Sequence, residues 1–221
     1  MLHRYGKLAA LAALVVLAGT AAAQRQFPFG GFGGGGAAFL LMNPDVQQEL
    51  KLSEEQVAKA KEVGQTVREK YKDKFAELKD VPQEQRREKF QEVMKAVSAD
   101  TDKALKDVLN ADQQKRLKQL ELQQRGADAL SDPDVEKALE LTAEQKEKIK
   151  TIREDAGKEM REIFQNAQGN FQEAITKVQT LRKETLEKAT ATLTDTQKKT
   201  WKDMTGAAFE FKFRRPNQAK Q

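Results

Sequence analysis

The stretch NPDVQQELKLSEEQ at residues 43–56 is written almost again as DPDVEKALELTAEQ at residues 132–145. Both copies hold Pro, Asp, Val, two Leu, Glu and Gln in the same order, at an offset of 89 positions. Asn43 and Asp132 are good helix caps, and the Pro after each is suited to the first position of a helix. The sequence therefore predicts that one pattern of helix starts occurs twice.

Each stretch ends in a capping box, which reads Leu, then Ser, Thr or Asn, then two variable residues, then Gln. In such a box the cap side chain accepts from the amide three residues on, and the Gln side chain accepts from the amide of the cap. The Leu can pack under the first turn. The four boxes are Leu52, Ser53 and Gln56; Leu109, Asn110 and Gln113; Leu141, Thr142 and Gln145; and Leu193, Thr194 and Gln197. We predict that these residues start helices and fix their entry angles.

Apolar residues recur every three or four positions between the boxes, as expected for long amphipathic helices. The breaks fall at Asp80-Val81-Pro82 and at the stretch NAQGN, residues 166–170. Phe75 matches Phe164 at the 89-residue offset, and after the break Met94 matches Val178 at an offset of 84. We predict an all-α fold with two tandem four-helix units of long antiparallel helices, residues 43–126 and 127–206.

The two ends of the chain differ from this body. Residues 1–23 combine a basic start, an apolar run from Leu8 to Ala18 and small residues at 21–23, which predicts a signal peptide cleaved after Ala23 and an exported, periplasmic protein. Residues 24–42 are rich in Gly and Phe and are predicted to be a flexible leader, as a spacer or as an arm that contacts something. Residues 207–221 form a tail whose FEFKF, residues 209–213, predicts a short strand or a segment lying against the helices.

Composition argues against several classes of function. The chain has no Cys, and its one His lies in the predicted signal peptide, so we expect neither an enzyme nor a metal site or cofactor. A net charge of +5 could suggest nucleic acid. However, the basic residues alternate with acids at helical spacing, as in Glu55 and Lys59 or Glu144 and Lys148, which is typical of solvated helix faces. We predict no nucleic-acid partner and no stable membrane insertion.

The four boxes in a Cys-free, exported helical chain make residues 43–206 resemble the Spy/CpxP family of periplasmic stress proteins, which carry the motif Leu-Thr-x-x-Gln. The resemblance implies a thin, curved layer of long antiparallel helices whose concave face binds unfolded proteins without ATP. Members of that family form this layer from two chains. Here two units in one chain would form an extended pseudo-dimer.

Three functions are consistent with this sequence. The first is an ATP-independent holding chaperone for unfolded or partly folded exported proteins. The second is an envelope-stress accessory subunit that docks a sensor protein, and the third is a structural envelope protein that self-associates. Four aromatic residues are candidate client contacts, although apolar residues at helical spacing more often belong to a core; they are Phe75, Phe164, Phe171 and Trp201.

Overall fold

A computed structural model describes residues 36–167 and 169–211, and this part of the chain contains helices and no strands. The predicted all-α fold class is confirmed. The predicted signal peptide 1–23, most of the leader and the last residues, 212–221, lie outside the described residues. Among the helices described, none combines the length and the apolar character needed to cross a membrane.

Nine α-helices and one 3-10 helix follow one another along the described chain. The helices are α1 (Ala37–Leu40), α2 (Pro44–Glu49), α3 (Glu54–Glu77), α4 (Gln83–Leu105), α5 (Ala111–Arg125), the 3-10 helix (Gly126–Ser131), α6 (Pro133–Ala138), α7 (Ala143–Gln165), α8 (Phe171–Ala191) and α9 (Asp195–Thr205). The long helices pack in sequential pairs, α3 with α4 and α7 with α8, while α5 contacts α9. The helices begin and end close to the predicted caps and breaks.

The repeated stretch has the same backbone conformation in both copies. Asn43 caps α2 by accepting from the amide of Asp45 at 2.8 Å, and Asp132 caps α6 by accepting from the amide of Asp134 at 3.0 Å. Two residues after the last residue of each short helix the backbone has φ of 50°, at Lys51 in the first copy and at Glu140 in the second. The amide of the next Leu then donates back to the helix in each copy, which is the Schellman ending. The repeat therefore extends to a conformation that ordinarily favours Gly.

Two groups of buried side chains form the core. The first core consists of Ala37, Leu40, Leu41, Val46, Leu50, Ala60, Leu105, Leu109, Leu117 and Leu120. The second core consists of Leu122, Ala127, Ala129, Leu130, Val135, Leu139, Leu141, Ile149, Ala189, Leu193 and Trp201. The box residues Leu109, Leu141 and Leu193 are buried in these cores, and the remaining one, Leu52, packs half-buried against the first. Each box is thus anchored to a core by its Leu.

The start of the folded body differs from the prediction that the leader stays flexible through Met42. Residues 37–40 form α1, and Ala37, Leu40 and Leu41 are almost completely buried in the first core. Fully burying a Leu side chain contributes about 1.5–3 kcal/mol, which offsets part of the cost of about 1–2 kcal/mol for each backbone residue that is ordered. At the 89-residue offset the 3-10 helix buries Ala129 and Leu130 in the second core. The repeated pattern therefore begins before Asn43.

The segment after α9 forms no strand over residues 207–211, which include 209–211, the described part of the predicted FEFKF stretch. Phe209 and Phe211 instead pack against the first core, with their ring centroids 5.0 Å apart in an edge-to-face arrangement. The alternative that this segment lies against the helices is therefore the one observed. Phe213 lies outside the described residues.

Candidate functional site

All four capping boxes are closed at both hydrogen bonds. Ser53 Oγ accepts from the amide of Gln56 at 3.2 Å, while Gln56 Oε1 accepts from the amide of Ser53 at 3.1 Å. Asn110, Thr142 and Thr194 form the same reciprocal bonds, at 2.9–3.3 Å, with the Gln three residues on. The boxes therefore satisfy backbone amides that would otherwise lack partners at the starts of α3, α5, α7 and α9.

The two boxes that precede the 3-10 helix are bonded to each other through their Gln side chains. Gln56 Nε2 donates to Gln113 Oε1 at 2.7 Å, and Gln113 Nε2 donates to Gln56 Oε1 at 3.2 Å. The second hydrogen of each amide goes to a backbone carbonyl next to the other box, from Gln56 to Val108 at 2.9 Å and from Gln113 to Leu50 at 3.1 Å. We call this arrangement the first glutamine pair.

The same arrangement joins the two boxes that follow the 3-10 helix. Gln145 Nε2 donates to Gln197 Oε1 at 2.7 Å, and Gln197 Nε2 donates to Gln145 Oε1 at 3.1 Å. Each amide again reaches a carbonyl beside the other box, Thr192 at 3.0 Å for Gln145 and Leu139 at 3.0 Å for Gln197. In this second glutamine pair, as in the first, both hydrogens and both lone pairs of every amide have a partner.

The glutamine pairs tie the start of α3 to the start of α5 and the start of α7 to the start of α9. Sequence reasoning missed them, although the sequence carried a signal. A capping box closes equally well with Glu at its third helical position, because only an acceptor is needed there. All four boxes have Gln, whose amide can also donate. A Gln in every box thus indicates a second partner for each side chain.

Thr142→Ala is expected to lower the free energy of unfolding by about 1 kcal/mol, because α7 loses the cap that accepts from the amide of Gln145. Thr194→Ala should cost a similar amount at the start of α9. Urea denaturation measures both changes, and Thr142→Ser, which keeps the hydroxyl, is the matched control. If a variant kept its stability but prevented the aggregation of unfolded proteins less well than the unaltered chain, the caps would be contact surfaces instead.

One carboxyl group is buried on α5. Glu121 is only 7% exposed, and its carboxylate forms an ion pair with Lys118 Nζ at 3.4 Å. Burial raises the pKa of Glu121, and the nearby Asp102 raises it further, while Lys118 and Arg125 act in the opposite direction. The pKa of Glu121 in the folded protein therefore lies above that of an exposed Glu.

Glu121→Gln is expected to raise the free energy of unfolding at pH 7 by about 1 kcal/mol, because the buried charge is replaced by a neutral group of similar size. Since the folded pKa lies above the unfolded one, the cost of the carboxylate is absent at low pH and develops as pH rises through the folded pKa. The gain should therefore shrink toward pH 4. Urea denaturation at both pH values measures it, with the exposed Glu84→Gln as control; an equal gain at both would contradict the assignment.

The distal parts of the two long hairpins are only half-buried. All of residues 72–100 of the α3–α4 hairpin are described, and none is buried; the same holds for residues 150–167 and 169–173 of the α7–α8 hairpin. Half-buried apolar side chains line these parts, namely Phe75, Leu78, Val93, Met94 and Val97 in one hairpin and Ile152, Met160, Ile163 and Phe164 in the other. Two helices alone cannot enclose an apolar stripe, so part of it remains accessible to solvent.

The aromatic candidates occupy three kinds of position. Phe171 is 59% exposed at the start of α8, and Phe75 and Phe164 are half-buried in the distal hairpins. Phe90, which the sequence reading did not single out as a contact, is 44% exposed, with its ring centroid 6.2 Å from that of Phe75. Trp201 lies in the second core at 8% exposure, so its candidacy as a client contact is corrected: it is a core residue. The accessible ones among these candidates therefore lie on the hairpins.

No family model, no curated protein and no solved structure matches this chain. Within the part of the chain that the structure describes, no group of three or more His, Cys, Asp or Glu residues could hold a metal ion. The glutamine pairs and the half-buried distal parts of the hairpins are thus the structural features that bear on function.

Proposed function

We propose that the protein is an ATP-independent holding chaperone of the periplasm that binds unfolded proteins along its two long hairpins. The observation that carries the proposal is the half-buried apolar stripe in the distal part of each hairpin, where no described residue is buried. A shallow stripe of this kind makes weak contacts with many sequences, which suits a binder of varied unfolded chains.

Charged side chains flank the stripes. Lys89 pairs with Glu92 at 2.8 Å on α4 and Lys158 with Asp155 at 2.8 Å on α7, and all of these side chains are more than half exposed. Pairs so exposed contribute little to stability. They keep the outer helix faces hydrated, so the apolar stripes can remain accessible without general aggregation.

The proposal includes an internally duplicated fold related to the Spy/CpxP family. Helices α2–α5 and α6–α9 occur in the same order, with the short helix first and two long helices in the middle. Each set contains two capping boxes and one glutamine pair. These correspondences support two four-helix units that act as an extended pseudo-dimer within one chain, and the Leu-Thr-x-x-Gln boxes support the family relation.

The test uses the chain with Phe90→Ser and Phe171→Ser, which removes one exposed ring from each hairpin. We expect the unaltered mature protein to suppress aggregation of a chemically denatured test protein at near-stoichiometric ratios without nucleotide. The double variant should need at least a threefold higher concentration for the same protection, because contact area is lost while the cores are untouched. Light scattering measures both.

Phe39→Ser is the matched control, since Phe39 is 57% exposed on α1 and lies outside the distal parts of the hairpins. It should leave protection unchanged. Absence of protection by the unaltered protein, with its helical fold verified by circular dichroism, would overturn the chaperone proposal. Concentration-dependent self-association abolished by the hairpin substitutions would then favour the structural alternative.

A further inference from the structure

The chain after α9 crosses back over α5 and reaches the first core. Gly206 ends α9 with φ of 66°, and residues 207–211 follow in an irregular conformation. Phe209 and Phe211 then pack against the first core, which is built from α1 to α5, and not against the second core that α9 helps to form. The end of the described chain is thus docked on the earlier half of the fold.

A single side chain holds the backbone of this segment. Gln123 Nε2 donates to the carbonyls of Thr205 at 2.6 Å and Ala207 at 2.8 Å, and Gln123 Oε1 accepts from the amide of Phe209 at 2.9 Å. These contacts involve backbone atoms alone on the side of the segment, so they do not depend on its side chains. Gln123 can therefore hold the backbone where the chain leaves α9, whatever side chains the segment carries.

The side chains of the segment alternate in their exposure. Phe209 and Phe211 are partly buried against the first core, whereas Glu210 between them is exposed. Backbone contacts combined with apolar sites for every second side chain are the usual means by which proteins recognise extended peptides. The surface formed by Gln123 and the first core thus holds a segment with aromatic residues at alternate positions.

We propose that this site binds such segments of unfolded proteins, and that residues 207–211 are its tethered occupant, which a client segment displaces. The client part of this inference rests on the chaperone function proposed above; the binding of the segment does not. Because the occupant belongs to the same chain, it competes at an effective concentration in the millimolar range. The site is therefore covered until a client presents aromatic segments at high local concentration.

The experiment uses the full chain with Phe209→Ser and Phe211→Ser, and a labelled peptide of sequence GAAFEFKF added separately. Fluorescence anisotropy should show at least tenfold tighter binding of the peptide to this variant than to the unaltered chain. The reason is that the tethered competitor has lost the two rings that pack against the first core. Adding Gln123→Ala to the variant should weaken peptide binding at least fivefold. A peptide with Ser in place of each Phe should not bind.

Equal affinity of the peptide for the variant and for the unaltered chain would overturn the proposal, and so would equal binding of the Ser peptide. If the double variant does not fold, Phe211→Ser alone, which keeps Phe209, should still bind the peptide more tightly than the unaltered chain does. The aggregation assay separates the two proposals. A chain that binds the peptide as expected but protects no denatured protein would retain the site and lose the chaperone function.

Discussion

Gln113→Ala is expected to lower the free energy of unfolding by about 3 kcal/mol, because buried hydrogen-bonding groups left without partners cost about 1–3 kcal/mol each. Gln113 is 9% exposed, and its side chain bonds the amide of Asn110, both polar atoms of the Gln56 side chain and the carbonyl of Leu50. Removing it opens one capping box and breaks both hydrogen bonds between the two glutamines of the first pair. The loss should exceed that of a cap substitution about threefold.

Urea denaturation of Gln113→Ala, Gln56→Ala and the double variant forms a thermodynamic cycle, in which we expect a coupling of about 1–2 kcal/mol. Gln113→Glu is the decisive companion, since a carboxylate can close its own box but cannot donate to Leu50 or Gln56. It should lose nearly as much stability as Ala. The exposed Gln85→Ala should have little effect. A fully tolerated Glu at position 113 would show that the pair contributes nothing beyond the cap.

Gly206→Ala is expected to lower the free energy of unfolding by about 2–3 kcal/mol, because its backbone conformation costs about 1–3 kcal/mol for a residue with a side chain. Gly206 has φ of 66° and ψ of −156°. A Cβ at this position would also lie within 2.6 Å of the end of the Gln119 side chain. Gln119 can move away, but it would then lose the hydrogen bond that it accepts from Arg116 at 3.1 Å.

Gly126→Ala is the matched control, because Gly126 ends α5 with a similar φ of 58° and has no atom within 4 Å of an added Cβ. It should carry the backbone cost alone and lose about 1 kcal/mol less than Gly206→Ala. Both variants are compared by urea denaturation. Equal losses at the two positions would show that the close approach to Gln119 has no energetic consequence.

The local structure could be predicted because it follows from rules that act within a few residues. The side chains of Ser53 and Thr142 lie three residues before a Gln, and Pro82 cannot continue a helix, so caps and breaks are readable from the sequence alone. The match between Phe75 and Phe164 likewise indicates duplication from spacing.

Features that depend on residues far apart in the chain were harder to predict from the sequence. Gln56 meets Gln113 across 57 positions, and no local rule indicates that partner. The helix α1 forms only because the first core offers a place for Leu40 and Leu41. Trp201 and Phe171 both lie on amphipathic helices, yet one is buried and the other exposed, because α9 has a core to pack against and the start of α8 does not.

The half-buried state of the distal hairpins has a consequence for hydrogen exchange. Amides near the glutamine pairs lie beside fully buried side chains, so their exchange requires opening of a large part of the fold. Amides between Tyr71 and Thr101 lie in helices that no core encloses, and they can exchange by fraying of the hairpin alone. The amides at the roots of the hairpins should therefore exchange most slowly and those near the turns fastest, and this gradient would let the proposed client-binding surface adapt to chains of irregular shape.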